Sequence, residues 1–163
     1  MNKPVIKDFS LPRWSELSDL GLYLDQVQIV LDGALRPLTP GPGGNITGTM
    51  ITNYVKQKVV PQTEKKKYYR RHLACLITVF LLKHVLSTAE IGLVLRELGD
   101  GMEPDEAYDV FCSELEDRLG ISEAGEEAEG LLKCPPLTAA AVDALAGKLR
   151  FEMIACMEQP ETE

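Results

Sequence analysis

The chain has 163 residues, 45% hydrophobic and 26% charged, with a net charge of −8; that is enough for one core, with room for a second small one, and it excludes a collagen, a disordered tail or a disulfide-stapled secreted scaffold. The longest apolar run, Leu73 to Leu82 with Thr78 as its one interruption, is about half of the roughly 20 residues that a membrane-spanning helix needs. The first ten residues lack a basic stretch, an apolar run and a small-residue cleavage site, so a cytosolic protein without membrane contact is expected.

In chain order, Leu11-Pro12-Arg13-Trp14 opens a short segment, and a helix is predicted from about Tyr23 to Leu35 with Tyr23, Val27, Val30, Leu31 and Ala34 on one stripe. Pro37, Pro40, Pro42, Gly41, Gly43 and Gly44 then predict a loop. Thr47 can cap a short helix reaching about Gln57. Val59-Val60-Pro61 and Lys67-Tyr68-Tyr69 are two short extended stretches that predict a small β-hairpin, or wing. From about Arg71 to Lys83 the chain is apolar nearly all round, as a central core helix is. Ser87-Thr88-Ala89-Glu90 has capping-box spacing before a helix that buries Ile91, Val94, Leu95 and Leu98. Pro104 suits the first position of the next helix, and Gly120 suits its C-terminal stop.

The stretch Ser122 to Gly130 is acidic and poor in large apolar residues, and reads as an exposed helix or a connector. Thr138 is expected to cap a last helix to about Met157. Its Val142, Leu145, Leu149 and Cys156 repeat as a helix seam does, either as internal core or as a dimer contact. The fold class expected is mainly α with one hairpin.

Charge is segregated. Residues 1–46 sum to −1, residues 47–84 to +7 and residues 85–163 to −14. Phosphates respond to the local field, which salt cuts off beyond about 8–10 Å, so the basic segment outweighs the acidic total in choosing a partner. The acidic clusters read most simply as solvated helix faces.

The stretch Met50-Ile51-Thr52-Asn53-Tyr54-Val55-Lys56-Gln57-Lys58-Val59-Val60-Pro61, with Lys65-Lys66-Lys67-Tyr68-Tyr69-Arg70-Arg71-His72-Leu73, resembles the winged helix-turn-helix of MerR-type transcription regulators. Tyr54 matches that family's last recognition-helix aromatic, Val59-Val60-Pro61 the start of its wing, and Tyr69-Arg70-Arg71 the end of it. Three features depart from the pattern: Thr52 stands at a usual arginine, Lys58 at a usual glycine, and the preceding turn is swollen by Pro37 to Asn45. Over about residues 11–98 the chain is also similar to the uncharacterised YkrK-like proteins of low-GC Gram-positive bacteria, through Leu11-Pro12-Arg13-Trp14, Ile51-x-Asn53-Tyr54-Val55-Lys56 and Lys66-Lys67-Tyr68. The resemblance implies a winged-helix lobe over residues 11–98 that binds double-stranded DNA, and a helical part over residues 102–158 that dimerises or senses an effector.

The chemistry fits that reading. Lys56, Lys58, Lys65, Lys66, Lys67, Arg70 and Arg71 would meet phosphates, and Tyr68 would donate to a phosphate oxygen. Thr47, Thr49, Thr52 and Asn53 are short polar residues suited to base edges or phosphates in the major groove. Tyr54 and Tyr69 read as packing aromatics with a polar tip. Pairing of two copies is expected because one recognition helix supplies few base contacts. The alternative is a protein-interaction module that has lost DNA binding, in which acidic helices would cover the lysines with salt bridges.

Chemistry of other kinds is not expected. Cys75, Cys112, Cys134 and Cys156 form no C-x-x-C pair and read as reduced, packed thiols. His72 and His84 lack ligand-spaced companions, so no metal is predicted. Gly43 to Met50 mimics a phosphate-binding loop but has Thr49 at the lysine position, so no nucleotide cofactor is predicted. No nucleophile, base and orienting acid assemble, so no catalytic residues are assigned.

Overall fold

A computed structural model describes residues 10–38, 45–121 and 134–158. Six α-helices carry this part of the chain: α1 Leu24–Leu35, α2 Gly48–Lys56, α3 Arg70–Leu82, α4 Thr88–Gly99, α5 Pro104–Leu119 and α6 Pro136–Glu158, with 3-10 turns at Trp14–Glu16 and Arg36–Leu38. Of the Gly/Pro loop expected from sequence, Pro37 lies in the second 3-10 turn, and residues 39–44 fall outside the described residues, as does the acidic connector at 122–130. None of the described helices is long and apolar enough to cross a membrane.

Helix α3 is the axis around which the others pack. Its sequence is apolar on every side, and it is buried almost continuously from His72 to Leu82 against α1, α5 and α6. Thr78 enters this core because its hydroxyl donates to the Ala74 carbonyl at 2.9 Å. The local signals for α4 and α5 act as their chemistry predicts. The Ser87 hydroxyl accepts from the Glu90 N–H at 3.2 Å while the Glu90 carboxylate accepts from the Ser87 N–H at 2.9 Å. Pro104 begins α5, and Gly120 ends it at φ +72°.

Thr138 does not cap α6. The helix begins two residues earlier, at Pro136, and its cap comes from α4. Glu97 Oε1 accepts from the Thr138 N–H and hydroxyl at 2.8 Å each, and Oε2 accepts from the Leu137 N–H at 3.1 Å. Burial alone would raise the Glu97 carboxyl, but the hydrogen bonds from Thr138 and Leu137 prevail and hold it below the ordinary 4.5.

The Leu11-Pro12-Arg13-Trp14 segment is clamped along α5. Glu116, 5% exposed, accepts from the Leu11 N–H at 2.7 Å and from the Arg13 guanidinium at 3.1 and 2.5 Å. The Tyr108 hydroxyl donates to the Pro12 carbonyl at 2.6 Å, and Asp109 accepts from the Trp14 N–H at 2.8 Å. One buried cluster runs from Leu11 to Met153 and draws on all six helices.

The expected β-hairpin wing is absent: the described residues contain isolated bridges and no strand. Its first arm has no free donors to pair. The Val59 and Val60 N–H groups both return to the Tyr54 carbonyl, at 3.1 and 3.2 Å, and Pro61 has no N–H. Its second arm pairs elsewhere. Tyr68 exchanges two 2.8 Å hydrogen bonds with Leu22 in the segment before α1. What remains of the hairpin is a tight turn, with Glu64 and Lys67 bridged around Lys65 and Lys66.

Two outcomes follow for stability. Glu116→Ala leaves a half-buried guanidinium and a buried N–H unpaired, and should lower unfolding free energy by about 3 kcal/mol. Urea titration followed by the fluorescence of Trp14, the sole tryptophan, reads this directly. A carboxyl held low in the folded state stabilises above its unfolded pKa, and that stabilisation is lost as pH falls through the folded value. Thermal melts should therefore show wild type losing more stability than Glu97→Gln between pH 6 and the acid side of about pH 4; equal slopes would refute the cap.

Candidate nucleic-acid interface

Helix α2 is short and two-faced. Thr47 caps it by accepting from the Met50 N–H at 3.2 Å, and Ile51 and Val55 point into the core. Gly48 allows the close approach to α1, since a Cβ there would stand 3.0 Å from a Leu24 methyl. The outward residues are Thr49, Thr52, Asn53 and Lys56, which recur at i, i+3, i+4 and i+7 and so form one stripe. Thr49, Asn53 and Lys56 are exposed, while Thr52 is half-buried and donates its hydroxyl to the Thr49 carbonyl at 3.1 Å. Thr47 is exposed but already occupied as the cap.

The helix stops through a left-handed residue. Lys58 has φ +60°, its N–H reaches the Val55 carbonyl at 3.0 Å, and the Val59 N–H reaches the Tyr54 carbonyl at 3.1 Å. This is a Schellman closure with lysine where glycine is usual. Lys65 and Lys66 lie at φ +51° and +64°, the two central positions of a primed turn that favours Asn-Gly. The Lys67 N–H donates to the Glu64 carbonyl at 2.9 Å and closes that turn. Three lysines thus occupy left-handed positions, each at a steric cost of about 1–2 kcal/mol.

His72 ties this loop to the core. Buried at the first turn of α3, its Nδ1 accepts from the Tyr69 N–H at 2.9 Å, so the ring proton is on Nε2, which donates to the Gln62 carbonyl at 2.9 Å. Gln62 Nε2 in turn donates to the Val55 carbonyl at 3.4 Å, which links the loop to the end of α2. Tyr54 packs edge-on to Phe80 with ring centroids 5.5 Å apart, and Tyr69 leans on His72.

The predicted contact residues separate into three groups. Lys56, Lys58, Lys65 and Lys66 are exposed and have no acidic partner among the described residues. Lys67 and Arg71 are engaged within the loop region: the Lys67 ammonium lies 5.6 Å from the centre of the Tyr23 ring, and Arg71 pairs with Glu64 at 2.6 Å. That pairing, through the Arg71 hydrogen bond and charge, also holds the Glu64 carboxyl low. Arg70 and Tyr68 are structural. Arg70 donates to the Leu17 carbonyl at 2.9 Å, and Tyr68 is 4% exposed, with its ring against His72. The Tyr68 ring is therefore part of the core.

A cleft of about 810 Å³ lies beside the end of α2, lined by Gln57, Lys58 and Val59 on one side and by Thr88, Gly92, Leu95 and Arg96 of α4 on the other. Arg96 adds a cation that sequence reasoning missed, because its nearness to Lys58 arises only from the packing of α4.

A family described as a domain of unknown function, DUF1836, matches residues 12–111, more than half of the chain. The chain belongs to this family. No curated protein and no solved structure matches it. The DUF1836 region takes in the Arg13–Trp14 clamp, all of α2, the lysine turn, α3, α4 and the first half of α5. It stops within α5, before Glu116.

Other chemistry is quiet. Burial pushes the thiols of Cys75 and Cys112 up to about 12 and that of Cys134 up to about 11, so none is a thiolate at neutral pH. Among the described residues no three His, Cys, Asp or Glu side chains are grouped as metal ligands would be.

The strained turn gives a direct test. Lys65→Asn/Lys66→Gly installs the preferred turn residues and should raise stability by about 1–2 kcal/mol, a gain of roughly 2–8 °C in melting temperature for a chain of this size. Calorimetry checks it, and a fall in melting temperature would show that the turn is not of the primed type.

Proposed function

We propose that this protein is a cytosolic, DNA-binding transcription regulator of bacteria. Its α2 stripe of Thr49, Thr52, Asn53 and Lys56 faces the major groove, and Lys56, Lys58, Lys65 and Lys66 neutralise backbone phosphates. The observation that carries the reading is electrostatic. The chain is acidic overall, yet no ion pair formed by the described acids of the C-terminal half reaches these lysines: Glu116 pairs with Arg13, Glu114 and Asp143 with Arg118, and Glu152 with Lys148 and His84. The four lysines are left to solvent. A covering set of acidic side chains is what a protein-interaction module would need in order to silence this surface.

Short polar residues on an exposed helix, flanked by unpaired cations, match the division of labour at protein–DNA interfaces, where base edges specify and phosphates position. The likeness of the 50–73 stretch to MerR-type regulators points the same way for α2. The wing of that family is not part of the proposal, and no effector is assigned.

Fluorescence anisotropy with mixed-sequence duplex at 50 and 150 mM salt tests the reading. About four phosphate contacts predict a log–log salt slope near −3.6. The stabilised variant Lys65→Asn/Lys66→Gly should bind more weakly and flatten the slope by about 2 units. A loss of affinity in a variant that melts higher cannot be attributed to unfolding. Absence of binding at low salt by folded wild type would overturn the proposal in favour of a protein-interaction module, for which the exposed Leu20 and Ile29 are the first surface to probe.

A further inference from the structure

Helix α6 is apolar on two opposite sides. One side, with Ala141, Val142, Leu145, Leu149 and Met153, is buried against α5, α4 and α3. Val142, Leu145 and Leu149 of the seam read from sequence are therefore internal core, whereas its fourth residue, Cys156, is exposed. The other side reads Leu137, Ala140, Ala144, Gly147, Phe151 and Ile154, a spacing of three, four, three, four and three, and every one of the six is exposed. Phe151 is 64% exposed, and Met157, one turn beyond, is 73% exposed. No charge interrupts the stripe. Asp143 and Arg150 border it on one edge, Lys148 and Glu152 on the other. A solvated helix face carries polar residues instead, and heptad spacing with charged borders is the pattern of a helix-pairing seam.

Gly147 is a second, separate observation. It sits inside a 23-residue helix, where glycine is less stable than alanine, and nothing lies within 4 Å of the position a Cβ would take. The described residues therefore give no reason for it. A second helix crossing at that point would, because glycine lets two backbones approach closely.

The order of sizes selects the occupant. Small residues occupy the middle of the stripe and large ones the ends. A second copy laid antiparallel, with the two-fold axis at Gly147, sets Leu137 opposite Met157, Ala140 opposite Ile154 and Ala144 opposite Phe151. The same operation brings Asp143 of one copy beside Arg150 of the other, twice. Arg150 has no acidic partner among the described residues, and Asp143 is 67% exposed at its side chain despite its bond to Arg118. A parallel pair would stack Phe151 on Phe151 and leave a gap between facing alanines. A helix of this length spans about 34 Å, enough for an interface of the standard class, roughly 1,200–2,000 Å².

We propose that this face of α6 binds the same face of a second copy of the chain, antiparallel and isologous about Gly147. The inference uses no part of the DNA-binding reading, and its test measures mass and not DNA.

The full chain is examined by light scattering and sedimentation equilibrium. Wild type should run at twice the 18.0 kDa chain mass. Phe151→Glu/Ile154→Glu should raise the dimer dissociation constant at least about 100-fold while far-UV circular dichroism keeps its helical signal, since both side chains are exposed. In a Cys156→Ser background, mild oxidation should link Gly147→Cys to itself between chains and leave Ala140→Cys unlinked. A monomeric wild type overturns the proposal, whether another segment of the chain or a different protein covers the face. So does a dimer indifferent to the two glutamates, or self-linking at position 140 as well as at 147, which would mean a parallel pair.

Discussion

Everything that the candidate interface does depends on one buried imidazole. His72 accepts from the backbone at Tyr69 and donates to the backbone at Gln62, so a single ring fixes both sides of the lysine turn to the first turn of the core helix. A buried polar group with both ring nitrogens satisfied is rigid, and the cost of leaving either partner open keeps it so. The Leu22–Tyr68 exchange holds the outgoing arm from the opposite side. It works only because position 21 is glycine: a Cβ there would fall 2.9 Å from the Lys67 chain. The turn is thus a short loop held at three places, and its lysines are presented from a fixed base.

The clamp on α5 gives the same stretch of chain a second anchor. Pro12 and Trp14 are tied to Tyr108 and Asp109, and Leu11 and Arg13 to Glu116, across about a hundred residues of sequence. A division at residues 98–102 cuts through this set of bonds. Helix α5 serves the N-terminal segment and α6 alike, and the family match ends inside it. In a buried pair such as Arg13–Glu116, desolvation offsets much of the attraction, so the gain lies mainly in orientation: the segment cannot slide along α5 without stranding a charge.

The sequence was most legible where a signal is local. The positions of α1 to α5, the Ser87–Glu90 box, Pro104 and Gly120 each depend on residues within four places of one another, and the structure has them within a residue or two of the sequence reading. Legibility failed where a partner comes from far along the chain. Thr138 looks like a cap in sequence, but the cap is Glu97. Val59 to Pro61 and Lys67 to Tyr69 look like facing strands, but the first arm spends its donors closing α2 and the second finds Leu22. At the candidate site the α2 stripe and the cations were visible as types and spacings. That Tyr68 is buried, that Arg70 holds Leu17 and that Arg96 lies across a cleft from Lys58 follow from packing alone.

Backbone strain at three lysines sets this surface apart from an ordinary solvated face. Lys58, Lys65 and Lys66 occupy left-handed positions where glycine or asparagine is less costly. Nothing in the packing around them asks for a long side chain. Strained residues persist where the surrounding structure determines them, and they gather at sites whose chemistry needs the group that bears the strain. Here that group is an ammonium without an acidic partner, repeated on two turns that flank the same helix end. Gly147 shows the converse on α6, a flexible residue where a rigid one is cheaper. Each site departs from the most stable local choice on an exposed surface, as the proposed phosphate contacts and the proposed helix pairing would each require.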